Sequence, residues 1–334
     1  MTSKEIIIRV LEFSGPERIG WDFNRPYPTD FIWVGPTSPY KWEWGDYPEL
    51  RKLVPDFNGQ LRKDEFGNIW GRLEGLSKGE VIKGALEDSW ELLDTYKLPE
   101  FYTDMVYYER AKDIIKANKD KYIIGGLPGF PFAIMRYLRR MENFFIDIML
   151  NEKEVLRLNE MVVDMLAQMI DIYGEIGVDG IMFAEDWGTQ EALLINPKTW
   201  RKLFKPSFDY LISRAHEKRM HVLMHSCGYI YEIIPDLIEV GVDALQLDQP
   251  ELMGVERLAE EFGGKVAFYC PVDIQKVMQS GDKKIIQDEA RKMIQYFGKF
   301  NGGFIAKDYP QWDAINVKEE WAQWAREVFM EKES

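Results

Sequence analysis

The chain reads as an α/β protein, a (β/α)8 TIM barrel carrying an irregular amino-terminal elaboration. Two observations predict this. From about residue 88 onward, short apolar runs alternate with helical patterns at least five times, and such alternation demands parallel strands joined by crossover helices. No glycine loop of the G-x-G-x-x-G or Walker type accompanies those runs, which disfavours a nucleotide-binding open sheet. A length of 334 residues admits two average domains or one large barrel. The alternation favours one barrel domain over 1–334, with residues 1–100 decorating its mouth.

In chain order, residues 5–13 form a short amphipathic helical pattern, and Pro16–Phe23 a turn into a first strand. From Arg25 to about Pro99 the prolines at 26, 28, 36, 39, 48 and 55 exclude regular helices. Within that stretch Asp64–Leu73 reads as a hairpin with Gly67-Asn68 near its turn. Tyr107–Asn118 is helical by composition, and Tyr122–Gly126 is strand-like. A loop rich in proline and glycine then feeds a helix over Ala133–Met141. Lys153–Gly174 repeats apolar residues at helical spacing, its methionines serving as core filler.

Two segments echo each other, one from Glu175 to Asp186 and one from Glu239 to Gln249. Each is a helix end, a Gly-Val-Asp turn, an apolar strand, then acidic or amide side chains. Gly177 and Gly241 suit the left-handed position that closes a helix. Between the echoes lie a helix (Pro197–Lys218), a strand ending near His225, and a helix (Tyr229–Val240). A strand over Lys265–Tyr269, a helix over Asp282–Lys299, a strand from Gly302 and a helix over Val317–Glu331 complete the order.

Composition narrows the function classes. A net charge of −14 argues against a nucleic-acid partner. No apolar run is long enough for a membrane span and the first residues lack a signal-peptide layout, so a cytoplasmic protein is expected. There the two cysteines are thiols or ligands rather than a disulfide.

The chemistry collects at the carboxyl ends of the expected strands, where barrel active sites are built. Those ends carry Glu185 and Asp186, His225 and Cys227, Asp248 and Gln249, Cys270 and Asp273, then Lys307 and Asp308. With only three His and two Cys in the chain, a His-x-Cys pair is improbable by chance. Period two puts residues i and i+2 of an extended segment on one side, so imidazole and thiolate converge if the strand reaches Cys227. The metal candidates are His225, Cys227 and Cys270, a donor set suited to zinc, with Glu185, water or substrate in the fourth place. The alternative is a polar turn plus free cysteines. Glu185 and Asp186 are catalytic candidates, because the text after them is a loop and helix capping accounts for them poorly. Asp248 and Asp273 are candidates for orienting ligands or binding substrate. His216 and His221 are assigned no role.

The motifs GLPGFPF (126–132), EDWGTQ (185–190), HSCG (225–228), GVDAL (241–245) and VDIQ (272–275) resemble the uroporphyrinogen decarboxylase superfamily. Residues 64–70 (DEFGNIW) resemble its cobamide-dependent methyltransferase-like branch. The resemblance implies a (β/α)8 barrel with its pocket at the carboxyl end, and methyl transfer between a small methylated substrate or thiol and a corrinoid protein. A methyl ether, hence O-demethylation, is one such substrate. It also implies zinc bound by His225 and Cys227 and a corrinoid carried on a partner protein. The branch's third ligand follows the last barrel strand, where this chain reads Lys307-Asp-Tyr-Pro, so Cys270 or Glu185 is expected to substitute. The decarboxylase chemistry is the alternative, although the Arg-Gln-Ala-Gly-Arg signature is absent and Arg25-Pro-Tyr-Pro only echoes it.

Overall fold

The computed structural model describes residues 1–73, 75 and 78–331. Its strands are β1 (Gly20–Asp22), β2 (Phe31–Val34), β3 (Gln60–Lys63), β4 (Ile69–Arg72), β5 (Glu80–Lys83), β6 (Tyr122–Gly126), β7 (Gly180–Ala184), β8 (His221–His225), β9 (Ala244–Gln246), β10 (Ala267–Cys270) and β11 (Phe304–Lys307). Eight of them form one parallel sheet in the order β1-β11-β10-β9-β8-β7-β6-β2. The two outer members, β1 and β2, meet through the Asp22–Thr29 bridge and the Asp30 N–H donating to the Trp21 carbonyl at 2.7 Å. The expected (β/α)8 barrel is therefore present and nearly closed.

Two barrel strands lie inside residues 1–100, the stretch expected to decorate the barrel mouth: β1, where a first strand is expected, and β2. Phe31–Val34 fits between Pro28 and Pro36, because a four-residue strand needs no backbone donor at either proline. The elaboration proper is inserted between β2 and β6. It contains a three-stranded antiparallel sheet, β3-β4-β5, whose first turn is the expected hairpin. Asp64 builds that turn by accepting from the backbone and side chain of Asn68 and from the Trp70 indole.

Two expected helices are split. Ala133–Met141 resolves into Pro131–Arg139 and Met141–Leu150, separated by Arg140 at a φ of 60°. Pro197–Lys218 divides at Phe204 into Pro197–Leu203 and Lys205–Glu217, because Pro206 has no N–H to donate back into the first helix.

The apolar residues divide by strand parity, which fixes where the site sits. One buried cluster contains Phe31, Tyr122, Ile124, Met182, Leu223, Ala244, Ala267, Tyr269 and Ile305, and these face the barrel lumen. Helix Ser3–Leu11 supplies Ile6, Ile7, Val10 and Leu11 to the same cluster and plugs the amino end. A second cluster contains Ile123, Ile181, Phe183, Val222, Met224, Leu245, Phe268 and Cys270, facing the surrounding helices. Side chains alternate along a strand, so every residue near a strand's carboxyl end inherits a side from this division. At the amino end the Gly-Val-Asp echoes do matching structural work. Asp179 accepts from the Ile123 N–H at 2.9 Å and Asp243 from the Val222 N–H at 2.7 Å, after left-handed Gly177 and Gly241.

Candidate metal centre at the barrel mouth

Counting by twos from the lumen cluster gives the last inward residue of each strand: Asp22, Trp33, Gly126, Ala184, His225, Gln246, Tyr269 and Lys307. One period further on, Asp186 stands above Ala184, Cys227 above His225, and Asp248 above Gln246. Asp186, His225 and Cys227 converge, their ligand atoms all lying within 4.8 Å of one another. His225 Nε2 is 3.3 Å from Cys227 Sγ and 3.5 Å from Asp186 Oδ1. The strand ends at His225 rather than at Cys227, yet imidazole and thiol still meet.

The loops after β7 and β8 hold this convergence. Asp186 Oδ1 accepts from the Cys227 N–H at 2.9 Å. Gly188 N–H donates to the Cys227 carbonyl, Tyr229 N–H to the Thr189 carbonyl, and Trp187 N–H to the Ser226 hydroxyl. A Cβ on Gly188 would stand 2.4 Å from the Tyr229 nitrogen, and one on Gly228 2.4 Å from the Gly188 carbonyl carbon. Glycine at both positions is what lets the two loops touch, and it explains the Asp-Trp-Gly and His-Ser-Cys-Gly strings together. Beneath them the Trp187 indole stacks on Phe132 at 4.0 Å and packs edgewise on Phe204 and Trp200.

The other expected site residues fall elsewhere. Cys270 is not in this group among the described residues; it has the parity of Phe268 and lies fully buried in the helix-side cluster. Burial pushes its thiol up to about 12, which suits an inert core cysteine. Glu185 also has outward parity and is fully buried. Its Oε1 accepts from the Ala133 N–H at 3.1 Å, so it caps helix Pro131–Arg139. The capped helix precedes Glu185 in the chain, whereas the adjacent text points only to the helix that follows it. Burial pushes the Glu185 carboxyl up to about 8, against the backbone N–H groups of Ala133 and Phe132. Asp273 accepts from the Gln275 and Lys276 N–H groups and shapes the loop after β10.

Asp248 does face the lumen. Its Oδ1 accepts from Gln246 Nε2 at 2.7 Å and Lys307 Nζ at 3.1 Å. Burial would raise its pKa, but the Lys307 charge, then His225, outweigh that and hold it below the usual carboxylate range. Lys307 thus ends the last strand with an ion pair to Asp248. Its neighbour Asp308 points outward to Arg326 at 3.0 Å. His216 pairs with Asp243 and His221 with Tyr122, both away from the mouth.

The residue that sequence reasoning missed is Arg136. It is buried among Phe132 and Tyr137, with Nη2 3.6 Å from Asp186 Oδ2 and Nε lacking any partner. The only sequence signal for it is a cation on the helix after GLPGFPF, which is no motif.

These residues fit zinc. Zinc bonds of roughly 2.0–2.3 Å at tetrahedral angles set ligand atoms about 3.4–3.6 Å apart, and the nitrogen–sulfur and nitrogen–oxygen separations are 3.3 and 3.5 Å. Three protein donors of N, S and O type leave one position open, as catalytic sites require. Burial, then the charges of Asp186 and Asp248, push the Cys227 thiol up; a divalent cation inverts that balance and favours the thiolate. A cavity of about 730 Å³ lined by Arg18, Trp21, Phe304 and Phe329 lies away from this group, toward the amino ends of β1 and β11.

Residues 78–307 match the family described as "Uroporphyrinogen decarboxylase (URO-D)". No curated protein matches. Among solved structures, a methyltransferase from Methanosarcina mazei superposes with a TM-score of 0.65 at 13% identity, covering 98% of each chain. A D-psicose 3-epimerase from Clostridium cellulolyticum H10 superposes with a TM-score of 0.42 at 12% identity, over 72% of this chain and 83% of that one. An endo-β-1,4-xylanase from Gloeophyllum trabeum gives 0.42 at 11% identity, over 68% and 81%. At 13% identity the likeness to the methyltransferase is one of fold. No helix among the described residues is long and apolar enough to cross a membrane.

Proposed function

The chain belongs to the uroporphyrinogen decarboxylase family, and we propose that within it this protein is a zinc-dependent methyltransferase. It moves a methyl group between a small methylated substrate, or a thiol, and a corrinoid carried on a partner protein. The observation that carries the reading is the convergence of Asp186, His225 and Cys227, with the His225 nitrogen 3.3 Å from the Cys227 sulfur and 3.5 Å from an Asp186 oxygen. The whole-length resemblance of fold to a methyltransferase agrees with it. Asp186, rather than Cys270 or Glu185, is the third protein ligand.

Zinc, when bound there, supplies Lewis acidity toward the oxygen, nitrogen or sulfur that gives up or takes the methyl group. The chain's own residues do the rest. Arg136 balances the Asp186 carboxylate from its second oxygen. Asp248, kept ionised by Lys307, presents a fixed negative charge in the lumen beside His225. The corrinoid must reach the carboxyl end of the barrel, because the ligand group lies there. Metal analysis of the purified protein beside Cys227→Ala and Cys270→Ala tests the reading. Equimolar zinc is expected in the wild type and in C270A, and loss in C227A. A wild type without zinc that zinc addition cannot activate for methyl transfer would overturn it.

Decarboxylation of a tetrapyrrole polycarboxylate is the second reading, favoured by the ionised Asp248 as an acceptor for pyrrole N–H groups. Release of CO2 from uroporphyrinogen, undiminished in C227A, would select it.

A further inference from the structure

Three consecutive backbone donors lie in the loop after β8, and each finds its acceptor at the end of a neighbouring strand. The Ser226 N–H donates to the Gln246 carbonyl at 3.2 Å, the Cys227 N–H to Asp186 Oδ1 at 2.9 Å, and the Gly228 N–H to Gln249 Oε1 at 3.1 Å. Buried backbone donors are almost always paired, so these three bonds decide where the loop sits. They are not equivalent. The first acceptor is backbone, which any residue at 246 would supply. The second belongs to a carboxylate of the ligand group itself. Of the three, only Gln249 is a side chain outside that group, so a single substitution can remove its bond and leave every ligand in place.

Gln249 is held as a fixed post. It is buried, and the orientation of its amide follows from the donor it meets, because only the carbonyl oxygen accepts from an N–H. Its backbone lies just past β9. The Leu252 N–H donates to the Gln249 carbonyl at 3.1 Å and the Gly254 N–H to the Pro250 carbonyl at 3.0 Å, which closes the turn Pro250–Leu252 onto it. Glu251 in that turn is tied to helix Lys283–Phe297 through Lys292, whose Nζ is 2.5 Å from Glu251 and 2.8 Å from Glu289. At the other end of the bond, Gly228 is left-handed with a φ of 78° and wedged against Gly188. Its N–H has no room to turn toward another acceptor.

We infer that Gln249 is a positioning residue for the His225–Cys227 pair: by holding the Gly228 N–H it fixes the peptide after Cys227 and so keeps the thiol 3.3 Å from His225 Nε2. Its effect on metal rests on the proposed zinc role of Asp186, His225 and Cys227, while its hold on the loop rests on the hydrogen bond alone. Without the amide acceptor, Gly228 keeps a buried donor that nothing satisfies, and local opening of the loop toward water relieves it. The thiol then loses its fixed place relative to the imidazole. Groups that orient metal ligands from behind typically contribute about 10- to 100-fold in affinity. In the sequence Gln249 is marked only as an amide at a strand end, beside Asp248.

The test compares the wild type with three variants. Gln249→Met keeps the shape and loses the acceptor, Gln249→Asn retracts the amide by one carbon, and Gln249→Glu keeps an acceptor in place. Zinc affinity is measured by competition with a chromophoric chelator. Q249M and Q249N are expected to bind zinc about 10- to 100-fold more weakly, and Q249E no more weakly than the wild type. Cobalt(II) loaded in place of zinc should show its thiolate charge-transfer band weakened in Q249M and kept in Q249E. In metal-free protein, hydrogen exchange should show the Gly228 amide losing protection in Q249M and Q249N and keeping it in Q249E. An unchanged zinc affinity and cobalt spectrum in Q249M would overturn the proposal even if the melting temperature fell, because a merely structural side chain moves only the latter; the zinc reading would then stand. Unchanged exchange at Gly228 would overturn it as well. A wild type that binds no zinc, with Gly228 protection still lost in Q249M, would sink the zinc reading and support the hold of Gln249 on the Cys227 loop.

Discussion

Replacing Arg326 by leucine isolates the outward face of the last barrel strand from its inward face. Arg326 is buried on helix Glu319–Phe329, with Nε 3.0 Å from Asp308, Nη2 2.6 Å from Glu319, and its guanidinium 4.0 Å from the Tyr27 ring centroid. Asp308 is also buried and accepts from the Asn24 N–H at 2.8 Å. Removing one partner of a buried pair leaves an uncompensated charge, at a cost of roughly 3–5 kcal/mol. Unfolding entropy near 2.1 cal/mol/K per residue, over the 334 residues of the chain, is roughly 0.7 kcal/mol/K. The expected fall in melting temperature is thus about 4–7 °C, read by circular dichroism or calorimetry at pH 7. Burial already holds the Asp308 carboxyl above its ordinary range, against the charge of Arg326. The deficit should therefore shrink as pH falls and Asp308 takes up a proton. The double variant R326L/D308L should recover most of the loss, because two apolar groups can replace a buried pair nearly neutrally. Zinc content should not change, since Asp308 points away from the lumen and only Lys307 points into it. A single variant melting within about 1 °C of the wild type, or a double variant no better than the single, would refute the assignment of a buried, mutually dependent pair.

Three further outcomes are expected. Arg136→Met should weaken zinc binding by about 10- to 100-fold, the usual effect of removing a group that orients a metal ligand, with partial rescue by R136K; competition with a chromophoric chelator measures it, and unchanged affinity would remove Arg136 from the site. In native metal-free protein a thiol-alkylating reagent should label the part-exposed Cys227 and spare the buried Cys270 until denaturant is added, as peptide mass spectrometry would show; equal labelling would contradict the outward parity of Cys270. His216 should titrate above 6.5, because its hydrogen bond to Asp243 outweighs its partial burial. The pair then contributes stability that is fully present below 6.5 and fades as pH rises through the raised value. Histidine NMR shifts would follow this, and D243N should bring the midpoint back down.

Much of the site was legible because two kinds of signal are local. The alternation of strand and helix patterns depends on nearest-neighbour periodicity, and it pointed to the barrel that the structure has. The rarity of His and Cys made His225-x-Cys227 stand out, and period two predicted that the pair would meet. Where strand ends met the text of the sequence, however, both members of each adjacent couple looked equally eligible: Glu185 with Asp186, Lys307 with Asp308.

Local pattern was therefore enough for the parallel architecture and for one pair of side chains, His225 and Cys227, that share a side. Only the tertiary structure decided which side that was. Inward and outward are set by how eight strands close on a common lumen, a property no single strand encodes. Closure turned Asp186 toward His225 and Cys227, and sent Glu185 to cap a helix far earlier in the chain. It also placed Cys270 among the helices, so that the second of two scarce cysteines, noticed for its scarcity, lies away from Asp186, His225 and Cys227. Arg136 belongs to the same class of fact, since it meets Asp186 only where segments distant in the chain are brought together around one mouth.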